Sequence, residues 1–218
     1  EDLSRGLGDV YKRQILDKLE EKKITDNTIV IFFSDNGGVE WYNFSDNGIL
    51  RGIKGDFYEG GIRVPFTMQW PSKIKPGTIY DKPIIALDVF ATVASAASAE
   101  KYIRNDIDGV DILPYITGEK SGLPHKYLYW QNPDKDIDVV RDERYKYIRI
   151  EEEEYIFDLK NDISEEKNII NSSKPIYDRL KSQFKEWEKE MIDPVFMDLG
   201  MGREYNKLNP DRWYDTNQ

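Results

Sequence analysis

Cysteine is absent from this 218-residue sequence, and histidine occurs once, at His125. The first absence excludes disulfides, thiolate metal sites and a cysteine nucleophile. The second excludes a multi-histidine metal site and leaves little material for a serine–histidine pair. No apolar stretch approaches the ~20 residues of a membrane-spanning helix. Basic residues are outnumbered, 31 against 41 acidic, for a net charge of −10. They form no stripe, and neutralising a phosphate backbone needs concentrated Lys and Arg, so nucleic acid is excluded as a partner. Carboxylates, amides, lysines and arginines are what remain for chemistry. The chain is 39% hydrophobic and 13% aromatic, enough for a real core, and its length suits one domain or one and a half.

Residues 1–14 resemble a translated sequencing adaptor, with natural sequence expected from Ile15 onward, and are set apart from fold reasoning. Ile15, Leu16 and Leu19 have helical spacing, and the helix is expected to run to about Lys23. Thr28-Ile29-Val30-Ile31-Phe32-Phe33 is an unalternated β-branched and aromatic run, suited to a strand buried on both faces of a parallel sheet. A glycine-rich stretch over 34–61 follows, at the strand end where open α/β sheets place ligands. A second short strand is expected over 65–70. Leu87, Phe90, Val93, Ala94 and Ala97 mark a helix lying closely on a sheet. Residues 111–118 read as a short helix, with Asp111 near its cap and Gly118 past its end.

Beyond Gly122 the texture changes. Strands are expected over 127–131, 138–141, 145–150 and 155–159, separated by turn residues, as in a small antiparallel sheet. Residues 174–191 form the clearest helix, with Pro175 in its first turn and Ile176, Leu180, Phe184 and Trp187 down one face. The polar end, 193–218, reads as irregular. The expected divisions are therefore the leader 1–14, an α/β portion over 15–120 and a C-terminal subdomain over 121–218.

The chemistry centres on Ser34-Asp35-Asn36-Gly37-Gly38. Asp35 and Asn36 offer two hard oxygens at a strand end, suited to Ca²⁺ or Mg²⁺ rather than zinc. Taken alone, Asp-Asn-Gly is a common turn, and Asp46-Asn47-Gly48 is expected to be one. Context distinguishes the first copy. Downstream stands Leu50-Arg51-Gly52-Ile53-Lys54-Gly55-Asp56-Phe57-Tyr58-Glu59-Gly60-Gly61-Ile62-Arg63-Val64-Pro65. With the strand and its Ser-Asp-Asn-Gly-Gly end, this segment closely resembles the sulfatase family of the alkaline-phosphatase-like superfamily. Asp88-Val89-Phe90-Ala91-Thr92, Asp108-Gly109-Val110-Asp111-Ile112-Leu113-Pro114, Arg144-Tyr145-Lys146-Tyr147-Ile148 and the stretch 155–162 resemble further family segments. The resemblance runs from about Ile15 to Met191.

It implies an α/β fold: the C-terminal part of an alkaline-phosphatase-like α/β/α sandwich, then a small antiparallel sheet with a helix. It implies that Asp35 and Asn36 coordinate a divalent cation, usually Ca²⁺ with Mg²⁺ as the alternative, and that Lys54 contacts the substrate sulfate. Arg51, close to Lys54 in sequence, is a second anion-binding candidate. The substrate implied is a sulfated small molecule or glycan, and the location periplasmic or secreted. Arg63 is expected in a buried ion pair with Glu59 or Asp88, and His125 in a structural role. Trp41, Tyr42, Asn43 and Phe44 suit either a sugar-facing rim or packing of their loop, and the run 151–154 suits a solvated hairpin turn.

One departure matters. Sulfatases use a formylglycine made from Cys or Ser within C/S-x-P-x-R, and this sequence has no such motif; Ser173-Lys174-Pro175-Ile176 continues with Tyr177 where Arg is required. The chain is therefore expected to be the C-terminal portion of a longer enzyme and inactive by itself. Two other readings share the same residues: a phosphonate or phosphodiester hydrolase of the superfamily, and a non-catalytic binding homologue.

Overall fold

The computed structural model describes residues 2–39, 45–102, 104 and 106–192. The chain forms two compact units, one from the described residues within 1–36 and 63–126, the other from those within 37–62 and 127–218. The stretch 37–62, which follows the first strand in sequence, thus packs with the C-terminal sheet. None of the described helices is long and apolar enough to cross a membrane.

In the first unit, helix α1 (Asp2–Glu21) begins well before Ile15 and runs on without interruption to Glu21, and a separate 3₁₀ turn follows at Thr25–Asn27. Strand β1 (Val30–Phe33) pairs with β2 (Phe66–Gln69) in antiparallel register, Phe33 opposite Phe66 and Val30 opposite Gln69. The Phe33 and Phe66 rings meet at 5.8 Å, and Trp70 Nε1 donates to Asp26 O at 3.1 Å. The expected parallel pairing is not found among the described residues. An unalternated apolar run reports a tendency to be buried and not the direction of its neighbour, and Phe32 is in fact 53% exposed.

Helix α3 (Leu87–Ala96) also departs from expectation. Its apolar stripe of Leu87, Phe90 and Val93 is exposed, while Asp88, Ala91 and Thr92 are buried. Hydrogen bonding decides the face. Asp88 Oδ2 accepts the Ile85 N–H and Oδ1 the Val110 N–H, and Thr92 Oγ1 accepts the Ile112 N–H. Gly109 lies so close to the Leu87 carbonyl that a Cβ could not fit. The Asp88–Thr92 face is therefore the socket for residues 109–112. The next turn, α4 (Leu113–Ile116), has its first N–H capped by Asp111 Oδ1, with Gly118 beyond its end at φ +81°.

In the second unit, β3 (Leu128–Asn132), β4 (Ile137–Arg141), β5 (Tyr145–Ile150) and β6 (Glu153–Asp158) form an antiparallel meander in that order. The strands match the sequence pattern closely because their residues alternate between two covered faces. Val140, Tyr147 and Ile156 face Leu180 and Phe184 of α5 (Lys174–Glu188). Val139, Ile148 and Phe157 face the other way, with Phe57 and Tyr58 packed against them.

The acidic run 151–154 turns between β5 and β6 as expected, Glu151 adopting φ +53°, but Glu154 is no solvated member of it. Its carboxylate accepts from Tyr147 Oη at 2.6 Å, Tyr177 Oη at 2.7 Å and Lys181 Nζ at 2.6 Å, pinning α5 to the sheet. Burial works to raise its pKa, but these bonds outweigh it and bring the group down to about 2. A carboxylate held below its unfolded value of 4.5 contributes stability in full above that pH and loses it as pH falls toward 2. We therefore expect Glu154→Gln to lower stability at pH 7 by about 1–3 kcal/mol, the scale of a charged hydrogen bond. Denaturant titrations at several pH values should show the wild type and variant converging between pH 4.5 and 2; a pH-independent gap would refute the assignment.

Candidate functional site

Two groups of residues carry the chemistry expected from sequence, one in each unit. In the first, β1 ends at Phe33, and the Ser34 N–H donates to Pro65 O at 3.3 Å. Ser34 Oγ turns back to the Asn36 carbonyl at 2.8 Å. Asp35 is left exposed and Asn36 half-buried on this turn. A carboxylate and an amide oxygen on consecutive residues are the right kind of donors for Ca²⁺ or Mg²⁺, but either ion takes six or more oxygens. Among the described residues no group of three or more Asp, Glu, His or Cys side chains could hold a metal. The pair fits such an ion in donor type and supplies part of its coordination sphere.

The second group stands in the loop 45–62. Here Asn47 is more than a turn residue. Asp46 Oδ1 accepts the Gly48 N–H, closing the expected turn with Gly48 at φ +64°. Asn47 Oδ1 accepts the Gly38 N–H at 2.8 Å, and its Nδ2 donates to the Gly38 and Gly52 carbonyls. The Lys54 N–H donates to Gly38 O at 3.1 Å, and the Gly37 N–H to Gly61 O at 2.9 Å. The Lys54 side chain is exposed. Arg51 is exposed too, yet its guanidinium lies 3.9 Å from the centre of the Tyr58 ring, and Nη1 donates to Glu165 O at 2.9 Å.

Glycine is required here by close backbone approach. A Cβ on Gly37 would collide with the Gly60 carbonyl, and one on Gly60 with the carbonyls of Gly52, Arg51 and Leu50. The loop therefore closes on the short helix α2 (Glu59–Ile62) with backbone against backbone.

Sequence reading missed what holds α2. Glu59 is fully buried, with Arg141 Nη1 3.2 Å and Lys146 Nζ 3.1 Å from its carboxylate. Lys146 Nζ lies 2.9 Å from Glu165 Oε1, and Glu165 Oε2 accepts the Glu59 backbone N–H at 2.6 Å. Burial pushes the Glu165 carboxyl up, and the Lys146 ammonium pulls it back down in part. One signal could have found Lys146: strand alternation places it on the same face of β5 as Ile148, where a lysine must be paired. Glu165, a glutamate among acidic neighbours, carries no such signal.

The expected partner of Glu59 or Asp88 was Arg63, buried; Arg63 is instead exposed. His125 stands in the structural role expected of it, with Nε2 2.7 Å from Asp88 Oδ1. The carboxylate accepts, so Nε2 carries the proton. Trp41, Tyr42, Asn43 and Phe44 lie outside the described residues, as does the stretch 193–218. In summary of place, Asp35 and Asn36 stand together in the first unit, and Arg51 and Lys54 in the second.

Residues 54–191 match the family described as N-sulphoglucosamine sulphohydrolase, C-terminal. The chain is 35% identical over 148 residues to the uncharacterized sulfatase YdeN of Escherichia coli (strain K12), covering 66% of this chain and 26% of that protein. It is 35% identical over 136 residues to the steryl-sulfatase of Mus musculus, covering 59% of this chain and 21% of that one. Among solved structures, the crystal structure of Ps i-CgsB in complex with k-i-k-neocarrahexaose is 25% identical, with a TM-score of 0.78 over 94% of this chain and 45% of that chain. The chain thus spans about a quarter of the length of these curated relatives.

Gly60→Ala should cost about 3 kcal/mol, because the new methyl meets backbone oxygens that cannot move aside as a side chain can. Gly77→Ala, at an open position with φ +75°, provides the comparison for backbone strain alone. Thermal denaturation of the two variants would show the larger loss in Gly60→Ala; equal losses would remove the close-packing explanation.

Proposed function

Because the chain belongs to the sulfatase family, we propose that it serves a sulfuric ester hydrolase, with Asp35 and Asn36 as cation ligands and Lys54 as a contact to the substrate sulfate. The observation that carries this reading is the exposed Lys54 on a loop held by Asn47, Gly38 and the buried Glu59 cluster, within the stretch that matches the family. Cleaving a sulfate ester shifts negative charge onto the bridging oxygen. A lysine ammonium at the sulfate stabilises that charge as a point charge, without proton transfer, and does so best when its loop need not reorganise. A divalent cation held in part by Asp35 and Asn36 would supply Lewis-acid stabilisation of the same charge.

Arg51 is the weaker of the two cations for this role. Its guanidinium is spread over Tyr58 and committed at Nη1 to the Glu165 carbonyl, so its part in anion binding would be secondary to bracing the loop. The chain has no cysteine and no serine in the formylglycine context, so the nucleophile would come from sequence beyond these 218 residues. A sulfated carbohydrate is the substrate class we favour. It is supported by the structural likeness to Ps i-CgsB, which was crystallised with k-i-k-neocarrahexaose.

The test is sulfate release from sulfated oligosaccharides by the full-length enzyme. Asp35→Ala is expected to abolish Ca²⁺-dependent release, with Mg²⁺ assayed alongside. Lys54→Ala should lower kcat/KM by about 10²–10³-fold, the scale of losing one preorganised charge-stabilising group. Retained activity in the first variant would overturn the ligand assignment, and an unchanged rate in the second would remove the sulfate role. The 218-residue chain by itself should release none.

A further inference from the structure

Glu165 is fully buried, carries no role in the reaction proposed above, and makes contacts that converge on the loop bearing Lys54. Its backbone carbonyl accepts from Arg51 Nη1 at 2.9 Å, three residues before Lys54. Its Oε2 accepts the backbone N–H of Glu59 at 2.6 Å, five residues after Lys54. Its Oε1 lies 2.9 Å from Lys146 Nζ, which also holds Glu59 Oε1 at 3.1 Å. Both flanks of the Lys54 turn are thus tied to one residue in the segment that follows β6 in the chain.

The constraint passes from these anchors to Lys54 through short backbone contacts. The Gly60 N–H donates to Arg51 O at 2.6 Å, joining the two flanks to each other. Gly61 packs against the carbonyls of Ile53 and Asp56. Within the turn, Asp56 Oδ2 accepts the Ile53 N–H at 3.0 Å, and the Asp56 N–H returns to Ile53 O at 2.9 Å. The sheet gains little from Glu165 beyond its pairing with Lys146. Its charged residues have partners of their own, such as Arg149 with Asp138 and Arg144 with Asp158.

We propose that Glu165 is a positioning residue for Lys54, holding the loop 51–59 at both ends so that the ammonium is presented to an anion in one fixed place. This rests on the reading of Lys54 as the sulfate contact. A flexible lysine loses much of its value as a charge stabiliser, because ordering it then falls to the bound state.

The experiment uses the 218-residue chain as wild type, Glu165→Ala, Glu165→Gln and Lys54→Ala. Two readouts are taken: residue-resolved amide hydrogen exchange, and the NMR response of Lys54 to inorganic sulfate. Glu165→Ala should raise exchange at the Lys54, Gly60 and Gly61 amides by about tenfold or more, while the amides of Val140 and Ile148 keep their wild-type rates. Glu165→Gln keeps an acceptor for the Glu59 N–H and should restore most of the protection. The sulfate response of Lys54 should weaken several-fold in the alanine variant and recover in the glutamine one, a pattern that a purely stabilising role would not produce.

Unchanged loop exchange in Glu165→Ala, or an equal rise in loop and sheet, would overturn the proposal. Should the alanine variant fail to fold, the glutamine variant decides: protection near wild type with a retained sulfate response supports the role, and lost protection with an unaltered response overturns it. A wild-type chain whose Lys54 shows no more response to sulfate than the Lys54→Ala control refutes the sulfate reading alone, and the exchange data still judge Glu165.

Discussion

A carboxylate taken fully out of water is tolerated only when its charge and its lone pairs are satisfied, and Glu59 imposes that condition on the second unit. Its partners come from two neighbouring strands, Arg141 on β4 and Lys146 on β5, and the Lys146 ammonium is shared with Glu165. Two carboxylates, one ammonium and one guanidinium make the cluster formally neutral. Removing Lys146 would leave the buried carboxylates short of a counter-charge, at a cost of about 3–5 kcal/mol. A surface pair such as Lys174–Asp178 contributes about 1 kcal/mol at most, so the inner cluster dominates the electrostatics of this unit. Because Glu59 opens α2, fixing its carboxylate also fixes Gly60 and Gly61, against which the Lys54 loop closes.

The first unit solves the same problem on a smaller scale. Asp88 is fully buried in the first turn of α3, where the helix dipole favours a negative charge. Two backbone N–H groups and His125 complete its shell. This explains a helix whose apolar stripe is exposed. Satisfying one buried carboxylate and the Ile112 N–H on Thr92 outranks covering Leu87 and Phe90, because an unmet buried charge costs more than an exposed apolar side chain. The single histidine, too few for a multi-histidine metal site, serves here as a partner for that carboxylate.

Legibility from sequence followed the range of the interactions. The four strands of the meander and the helix that starts at Lys174 were readable with ends displaced by at most a few residues, since two-residue and 3.6-residue periods are local and each face is covered. The cap at Asp111 and the turn at Asp46-Asn47-Gly48 were readable for the same reason. Asp35, Asn36 and Lys54 were singled out by the resemblance of their segments to the sulfatase family, and their roles stand as proposed. The pairing direction of β1 was not, because an apolar run specifies burial without specifying a partner. Nor was the Glu59–Lys146–Glu165 cluster, because Lys146 and Glu165 lie 87 and 106 residues from Glu59 and no local spacing joins them.

The sequence by itself determined which segments become strands and helices and which oxygen and nitrogen donors are available, since these follow from side-chain shape and local periodicity. The tertiary structure alone decided which charges go inside. A glutamate becomes a buried anchor or a solvated side chain according to whether a lysine and an arginine from distant strands arrive beside it. That arrival is a property of the folded arrangement, and it is what converts a loop of glycines and one lysine into a fixed surface.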